Sequence, residues 1–64
     1  MDTGSRIKLV REHRGLTQQK LGEMLGYGKS SANRIAQYEM GYRSPKANRL
    51  KEIAKAIALP KAER

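Results

Sequence analysis

Apolar residues recur at steps of three and four along most of the chain, and three glycines interrupt this pattern. No segment alternates apolar and polar residues as a strand with one buried face does. Each of Gly15, Gly26 and Gly41 follows a run of helical spacing, where glycine commonly ends a helix in the left-handed conformation. The pattern therefore predicts an all-α protein of four or five short helices joined by tight turns.

Capping residues place the helix boundaries. Ser5 and Thr17 are suitable N-caps for the first two helices, and Ser44 precedes a proline that fits the first helical position of the fourth. The predicted helices span residues 5–14, 17–25, and Ser30 or Ser31 to Met40, with a fourth from Ser44–Pro45 and a possible truncated fifth over 60–64.

The length of 64 residues predicts a single domain over residues 1–64 with a small shared core. The predicted core is Ile7, Val10, Leu16, Leu21, Leu25, Ile35, Tyr38, Leu50, Ile53 and Ile57. A domain of this size buries only roughly 60% of its unfolded surface, which leaves little room for a catalytic cleft. With one histidine, no cysteine, no clustered carboxylates and no phosphate-cradling loop, we expect no enzyme activity, metal site or cofactor.

The charge is strongly positive, with 14 Lys and Arg against six acids and a formal net charge of +8. Such an excess favours a polyanionic partner, either nucleic acid or an acidic membrane face, although a merely solubilising basic surface is the alternative. No apolar run approaches the roughly 20 residues of a membrane span, and the N-terminus lacks the apolar core of a signal peptide. We therefore expect a cytoplasmic protein without a membrane partner.

The second and third helices form a distinctive pair. Gly22 lies where the two helices would cross most closely, and Gly26 can take the left-handed conformation at the corner between them. Ile35 and Tyr38 would then pack the third helix back onto the second. This arrangement predicts a helix-turn-helix over about residues 17–40.

The exposed face of the third helix is polar but nearly free of acid. With Ile35 facing inward, Ser30, Asn33 and Gln37 point outward, and Lys29 and Arg34 lie on the flanks. Asn and Gln can form paired hydrogen bonds with adenine, and Arg with guanine, in the major groove of DNA. A merely solvated helix would more often carry Glu–Lys pairs. The composition of this face therefore favours base recognition over solvation.

Three blocks of sequence occur in an order that resembles a known family: "GLTQQKLGEMLG" after Arg11, then "IAQYEMGYRSP", then "LKEIAKAIAL". Over about residues 5–59 the chain is similar to the Cro/phage-repressor (XRE-type) helix-turn-helix DNA-binding family. The resemblance implies a lambda-repressor-like fold and a bacterial or phage origin. It also implies a sequence-specific regulator of transcription, a repressor that occupies a palindromic operator in double-stranded DNA.

The resemblance also implies roles for individual residues. Base contacts fall on Asn33, Arg34 and Gln37, with Ser30 added from the outward face, and phosphate contacts on Thr17, Gln18, Tyr42, Arg43 and Ser44. An arginine late in the first helix pairs with a glutamate that ends the third, and these match Arg11 and Glu39. Because Glu39 falls on the inward side of its helix, where an isolated carboxylate would be costly, this pair is expected to be structural.

The stretch between Gly26 and Ile35 is about three residues longer than the family usually has. The extra residues would form either a longer, mobile turn containing Gly28 or an earlier start of the recognition helix, capped by Ser30 or Ser31. Three residues is close to one helical turn, so the second alternative leaves the face pattern after Ala32 intact. We favour that alternative, which also places Lys29 near a phosphate at the helix entrance.

The sequence also bears on assembly and on partners. We expect a homodimer on DNA that is weak or absent in free solution, because the fifth helix, usually near the dimer contacts, holds only residues 60–64. One rival function is an antitoxin-type module that binds a toxin as well as its own operator. Another is RNA binding, although three tyrosines as the only aromatic residues offer few stacking platforms.

Overall fold

The computed structural model describes residues 2–57, which form four α-helices and one 3-10 turn. The helices are α1 (Thr3–His13), α2 (Gln18–Met24), α3 (Ser31–Met40) and α4 (Ala47–Ile57), and the 3-10 turn is Gly28–Ser30. Because these residues include no strand, the all-α prediction is confirmed. The predicted fifth helix lies outside the described residues. None of the described helices has the length and apolar character needed to cross a membrane.

The start of α1 differs from the prediction. Asp2, not Ser5, is the N-cap, and its carboxylate Oδ1 accepts a hydrogen bond from the Ser5 backbone N–H at 2.7 Å. This bond lowers the pKa of the Asp2 carboxyl below its usual value. A Cβ at Gly4 would collide with the backbone carbonyl oxygens of Tyr38 and Glu39, so the first turn of α1 rests against the end of α3. The prediction of Ser5 as the N-cap is therefore wrong, because the contact of Gly4 with the end of α3 favours a helix that starts earlier.

The limits of α2 agree with the prediction. The Thr17 hydroxyl oxygen accepts from the Lys20 backbone N–H at 2.9 Å, which confirms Thr17 as the N-cap. Beyond the helix ends, the predicted terminators Gly15, Gly26 and Gly41 have φ angles of 72°, 85° and 83°. These left-handed values confirm the prediction that the three glycines end the helices before them.

The extra residues after Gly26 form the 3-10 turn, which leads directly into α3 at Ser31, one of the two predicted starts. They add a helical turn before α3, as the favoured alternative has it, but as a 3-10 turn rather than as part of the α-helix. Neither serine hydroxyl caps the helix. Ser30 makes no side-chain capping bond, and the Ser31 hydroxyl donates to the Gly28 carbonyl at 2.6 Å. The capping prediction is therefore wrong, because Ser31 already has helical backbone angles and Ser30 lacks the extended backbone of a capping residue.

The start of α4 is also later than predicted. Its first backbone hydrogen bond of helical spacing runs from Leu50 N–H to the Lys46 carbonyl at 2.8 Å, so the helix begins at Ala47 rather than at Pro45. Ser44 and Pro45 lie in the connection between α3 and α4. A residue before proline prefers extended backbone, and this preference suits a linker as well as a helix cap.

The core lies where all four helices meet. Its buried members are Ile7, Leu21, Ile35, Tyr38, Ile53 and Ile57, with the partly buried Val10, Leu16, Leu25, Tyr27 and Ala56 packed against them. Leu50 is the exception among the predicted core residues because it is 39% exposed. It lines an open groove between α1 and α4 instead of the closed core.

Candidate nucleic-acid interface

The contact between α2 and α3 fixes which side of α3 faces outward. A Cβ at Gly22 would overlap Cα and Cβ of Ser31, so the two helices meet backbone to backbone at this point. Leu21 and Ile35 are fully buried on either side of the contact. With Ile35 held inside, the opposite side of α3 faces solvent.

That outward side carries the predicted base-reading residues. Ser30, Asn33 and Arg34 are exposed, and Gln37 is half-buried. Within residues 2–57, none of these four side chains donates or accepts a hydrogen bond. The amide and guanidinium groups of α3 are therefore available to an outside partner.

The one acid of α3 is held inside by two side chains. Arg11 Nε donates to Glu39 Oε2 at 2.6 Å, and Arg11 Nη2 donates to Glu39 Oε1 at 3.2 Å. Gln18 Nε2 donates to the same Oε1 at 3.0 Å, and Arg11 Nη1 reaches the Leu16 carbonyl at 2.7 Å. The Glu39 side chain is only 3% exposed, and the hydrogen bond to it raises the pKa of Arg11. This network ties α1, α2 and α3 together and removes negative charge from the outer surface.

The residues predicted to contact phosphates have different surroundings. The Thr17 hydroxyl oxygen is occupied as the α2 cap, and the half-buried Gln18 side chain donates to Glu39. Lys29 is exposed in the 3-10 turn. Tyr42, Arg43 and Ser44 are exposed in the loop after α3, where the backbone N–H groups of the first two donate to the Gln37 carbonyl. The loop is thus tied to the end of α3.

A basic concavity of about 580 Å³ lies between α3, this loop and α4. Its cationic side chains are Arg34, Arg43, Lys46 and Arg49, and its acid is Glu52, which pairs with Arg49. Lys46 and Arg49 are not among the predicted site residues, although "KANR" follows the predicted phosphate loop after a single proline. The concavity joins the outer side of α3 to the start of α4 as one cationic surface, which suits a polyanion.

Two further residues position this surface, and neither is among the predicted site residues. Gln19 Oε1 on α2 accepts from the Ala32 backbone N–H at 3.2 Å and so caps α3 from outside. Tyr27 lies beside the basic concavity with its hydroxyl 2.7 Å from that of Tyr38. Burial raises the pKa of Tyr27 to about 12, and the hydroxyl contact adds to the effect. Both residues act across the helix–turn–helix corner, so helix periodicity gave no signal for them.

The chemistry available at this surface is hydrogen bonding and charge attraction. No group of three potential metal ligands occurs in the part of the chain that the structure describes. The exposed groups of α3 can donate to and accept from base edges, and the surrounding cations can pair with phosphates.

Comparison with known proteins gives one match. A family model described as helix-turn-helix matches residues 7–63, which is most of the chain. Neither the curated proteins nor the solved structures gave a match. The matched segment contains the whole of the polar α3 face and the basic concavity.

Proposed function

This chain belongs to the Cro/phage-repressor (XRE-type) helix-turn-helix family of DNA-binding transcription regulators, and we propose that it is a repressor that occupies a palindromic operator. In this proposal α3 enters the major groove of double-stranded DNA and reads base sequence. The observation that carries the proposal is the outward side of α3, where uncommitted amide and guanidinium groups occur without an exposed acid.

Base reading is assigned to Asn33, Arg34 and Gln37, with Ser30 at the start of the same face. Asn and Gln match adenine, whose major-groove edge offers one donor and one acceptor, and Arg matches the two acceptors of guanine. The close contact of Gly22 with Ser31 supports this assignment, because it holds α3 rigidly with these side chains outward. Residues on a rigid helix can select bases by small differences in distance.

Phosphate binding is assigned to Lys29, Tyr42, Arg43 and Ser44, and to Thr17 and Gln18 at the start of α2. Gln18 has a second amide hydrogen beyond the one it gives to Glu39, and that hydrogen is its proposed phosphate donor. The positions of Lys46 and Arg49 in the basic concavity support their addition to this set. These residues would hold the protein in register on DNA without selecting sequence.

Substitutions on α3 should act differently from those in the loop. Asn33→Ala and Gln37→Ala should each cost about 1–3 kcal/mol on the preferred site and relax preference at particular base pairs. Arg43→Ala should weaken all duplexes alike and flatten the dependence of affinity on salt. Fluorescence anisotropy on the preferred site and on random DNA, across several salt concentrations, measures both effects.

The matched control for Arg43→Ala is Lys51→Ala. It removes the same charge from an exposed position on α4 that does not line the basic concavity. We expect a smaller loss for the control than for Arg43→Ala. Equal losses on the preferred site and on random DNA for Asn33→Ala and Gln37→Ala would contradict base reading.

Two copies are proposed to bind one operator. A single α3 of ten residues can contact only a few base pairs, whereas two copies on half-sites about 34 Å apart read twice as many. Each copy carries a net charge of +8, so two copies repel each other in free solution, and DNA phosphates relieve that repulsion. We therefore propose a protein that is monomeric when free and pairs on the operator.

Sedimentation of the free protein and titration onto full and half operators test this assembly. We expect monomers at micromolar concentration, cooperative binding to the full operator and weaker binding per subunit to a lone half-site. A plot of the logarithm of the binding constant against the logarithm of salt concentration should have a slope of about −0.9 for each phosphate neutralised. A stable dimer without DNA, or equal affinity per subunit for the half-site, would contradict DNA-driven pairing.

A further inference from the structure

Two arginines contact the ring of Tyr27, the first residue after the corner glycine. The Arg34 guanidinium carbon lies 5.3 Å from the ring centroid, and that of Arg49 lies 4.8 Å from it. Both distances are within the range of cation–π attraction. Arg34 comes from the outward side of α3 and Arg49 from α4. The inserted turn, residues 27–30 between Gly26 and α3, therefore links these two helices through the ring of Tyr27.

Tyr27 itself is held from several directions. Its backbone N–H donates to the Gly22 carbonyl at 3.0 Å, and its hydroxyl lies 2.7 Å from that of the buried Tyr38. Arg49 is in turn anchored by Glu52 and by the Leu25 carbonyl, to which it donates at 3.2 Å. The ring is therefore a fixed surface, supported by the core and by α4.

Arg34 and Arg49 differ in whether their guanidinium N–H groups are already used as hydrogen-bond donors. The Arg34 side chain donates to no other residue in the range 2–57 and is exposed. Contact with an aromatic ring uses the π face of the ring and leaves the N–H groups of the guanidinium plane available. Tyr27 thus restrains Arg34 without occupying its donors.

We propose that Tyr27 is a positioning residue that orders the Arg34 guanidinium for contact with a guanine in the major groove. The inserted turn then sets the strength of preference at one base pair of the operator. This inference rests on the proposed function and deepens it, because it requires Arg34 to be a base-reading residue.

The expected effect follows from the conformational freedom of arginine. An unrestrained arginine side chain loses conformational entropy when it binds a base, and this loss opposes binding. An arginine that is already restrained in the free protein loses less entropy on binding. Loss of the Tyr27 ring should therefore reduce the preference for guanine at the Arg34 position by about three- to tenfold. Preference at the positions read by Asn33 and Gln37 should not change.

The test compares Tyr27→Leu, which removes the ring, with Tyr27→Phe, which keeps the ring and loses the hydroxyl. Affinities are measured for the preferred operator and for duplexes substituted at each base pair, in these variants, in Arg34→Ala and in Arg34→Ala with Tyr27→Leu. We expect Tyr27→Leu to lose preference at the position that Arg34→Ala also affects, and Tyr27→Phe to retain it. The double variant should match Arg34→Ala at that position.

The measurements distinguish a failure of base reading by Arg34 from a failure of the positioning role of Tyr27. If Arg34→Ala changes preference nowhere, base reading by Arg34 is wrong, and the inference falls with it. If Arg34→Ala changes preference and Tyr27→Leu weakens all duplexes alike, Tyr27 only supports the fold and the positioning role is overturned.

A second measurement covers the case in which Tyr27→Leu does not fold. In NMR spectra of the free wild-type protein, the Tyr27 ring current should shift the Arg34 side-chain resonances, and Tyr27→Phe should retain the shift. Random-coil resonances for the Arg34 side chain would overturn the inference without any DNA measurement.

Discussion

Glu39→Ala is expected to lower the free energy of unfolding by about 3–5 kcal/mol, the usual effect of leaving a buried charge without its partner. The substitution leaves the Arg11 guanidinium, whose side chain is 9% exposed, without the carboxylate that accepts two of its hydrogen bonds. It also removes the acceptor of Gln18 Nε2. Arg11→Ala should cause a loss of similar size, because it strands the Glu39 carboxylate instead. Thermal or urea unfolding monitored by circular dichroism measures both.

Glu12→Ala is the matched control for this prediction. Glu12 lies 3.8 Å from Arg11 Nη2, but its side chain is 56% exposed, so its loss should cost no more than about 0.5 kcal/mol. The double variant of Arg11 and Glu39 should lose less than the sum of the single variants, because it strands neither charge. Losses below about 1 kcal/mol for both single variants would contradict a buried, energetically coupled pair.

Gly22→Ala is expected to destabilise the protein by about 3 kcal/mol, at the upper end of the usual range for overpacking. The new methyl group would overlap Cα, Cβ and the carbonyl carbon of Ser31, and a backbone cannot move aside as a flexible side chain can. In a helix without this contact, alanine in place of glycine would stabilise by about 1 kcal/mol. The sign of the change therefore reports directly on the close approach of α2 and α3.

Lys20→Ala, on the exposed side of α2, is the control for Gly22→Ala and should change stability by less than about 0.5 kcal/mol. Gly22→Ala should also weaken operator binding at temperatures where it remains folded, because α3 would be displaced. A Gly22→Ala variant as stable as the wild-type protein would show that the two helices have room to separate.

Local sequence signals predicted the parts of the fold that depend on local chemistry. Thr17 as the α2 cap, the left-handed glycines and the inward side of α3 all depend on backbone conformation or helix periodicity. The close contact at Gly22 was also predictable, because a helix in which glycine replaces a better helix former needs a packing reason.

The wrongly predicted helix boundaries are those that the local sequence leaves open. Both Asp2 and Ser5 are capable caps, and the packing of Gly4 against the end of α3 favours the earlier start. Likewise α3 is capped by Gln19, thirteen residues away, so the choice between Ser30 and Ser31 had no basis in the local sequence. For α4, Ser44 and Pro45 suit a linker as well as a cap.

The candidate site shows the same division. The exposed residues of α3 followed from a helical projection. Lys46 and Arg49 join them only because α4 packs on α1 and α2, which places its start across the basic concavity from α3. The role of the inserted turn was the least predictable feature. Its length was visible in the sequence, but the contacts of Tyr27 with Arg34 and Arg49 depend on the tertiary fold.

Selection of bound fragments from a pool of random double-stranded DNA tests the central claim, that α3 reads base sequence, most directly. The wild-type protein should enrich a shared motif with two-fold symmetry. The variant with Asn33→Ala and Gln37→Ala should lose that motif while still retaining DNA, because its net charge of +8 is unchanged. Fragments without any shared motif from the wild-type protein, or the same motif equally enriched by the variant, would contradict base reading by α3.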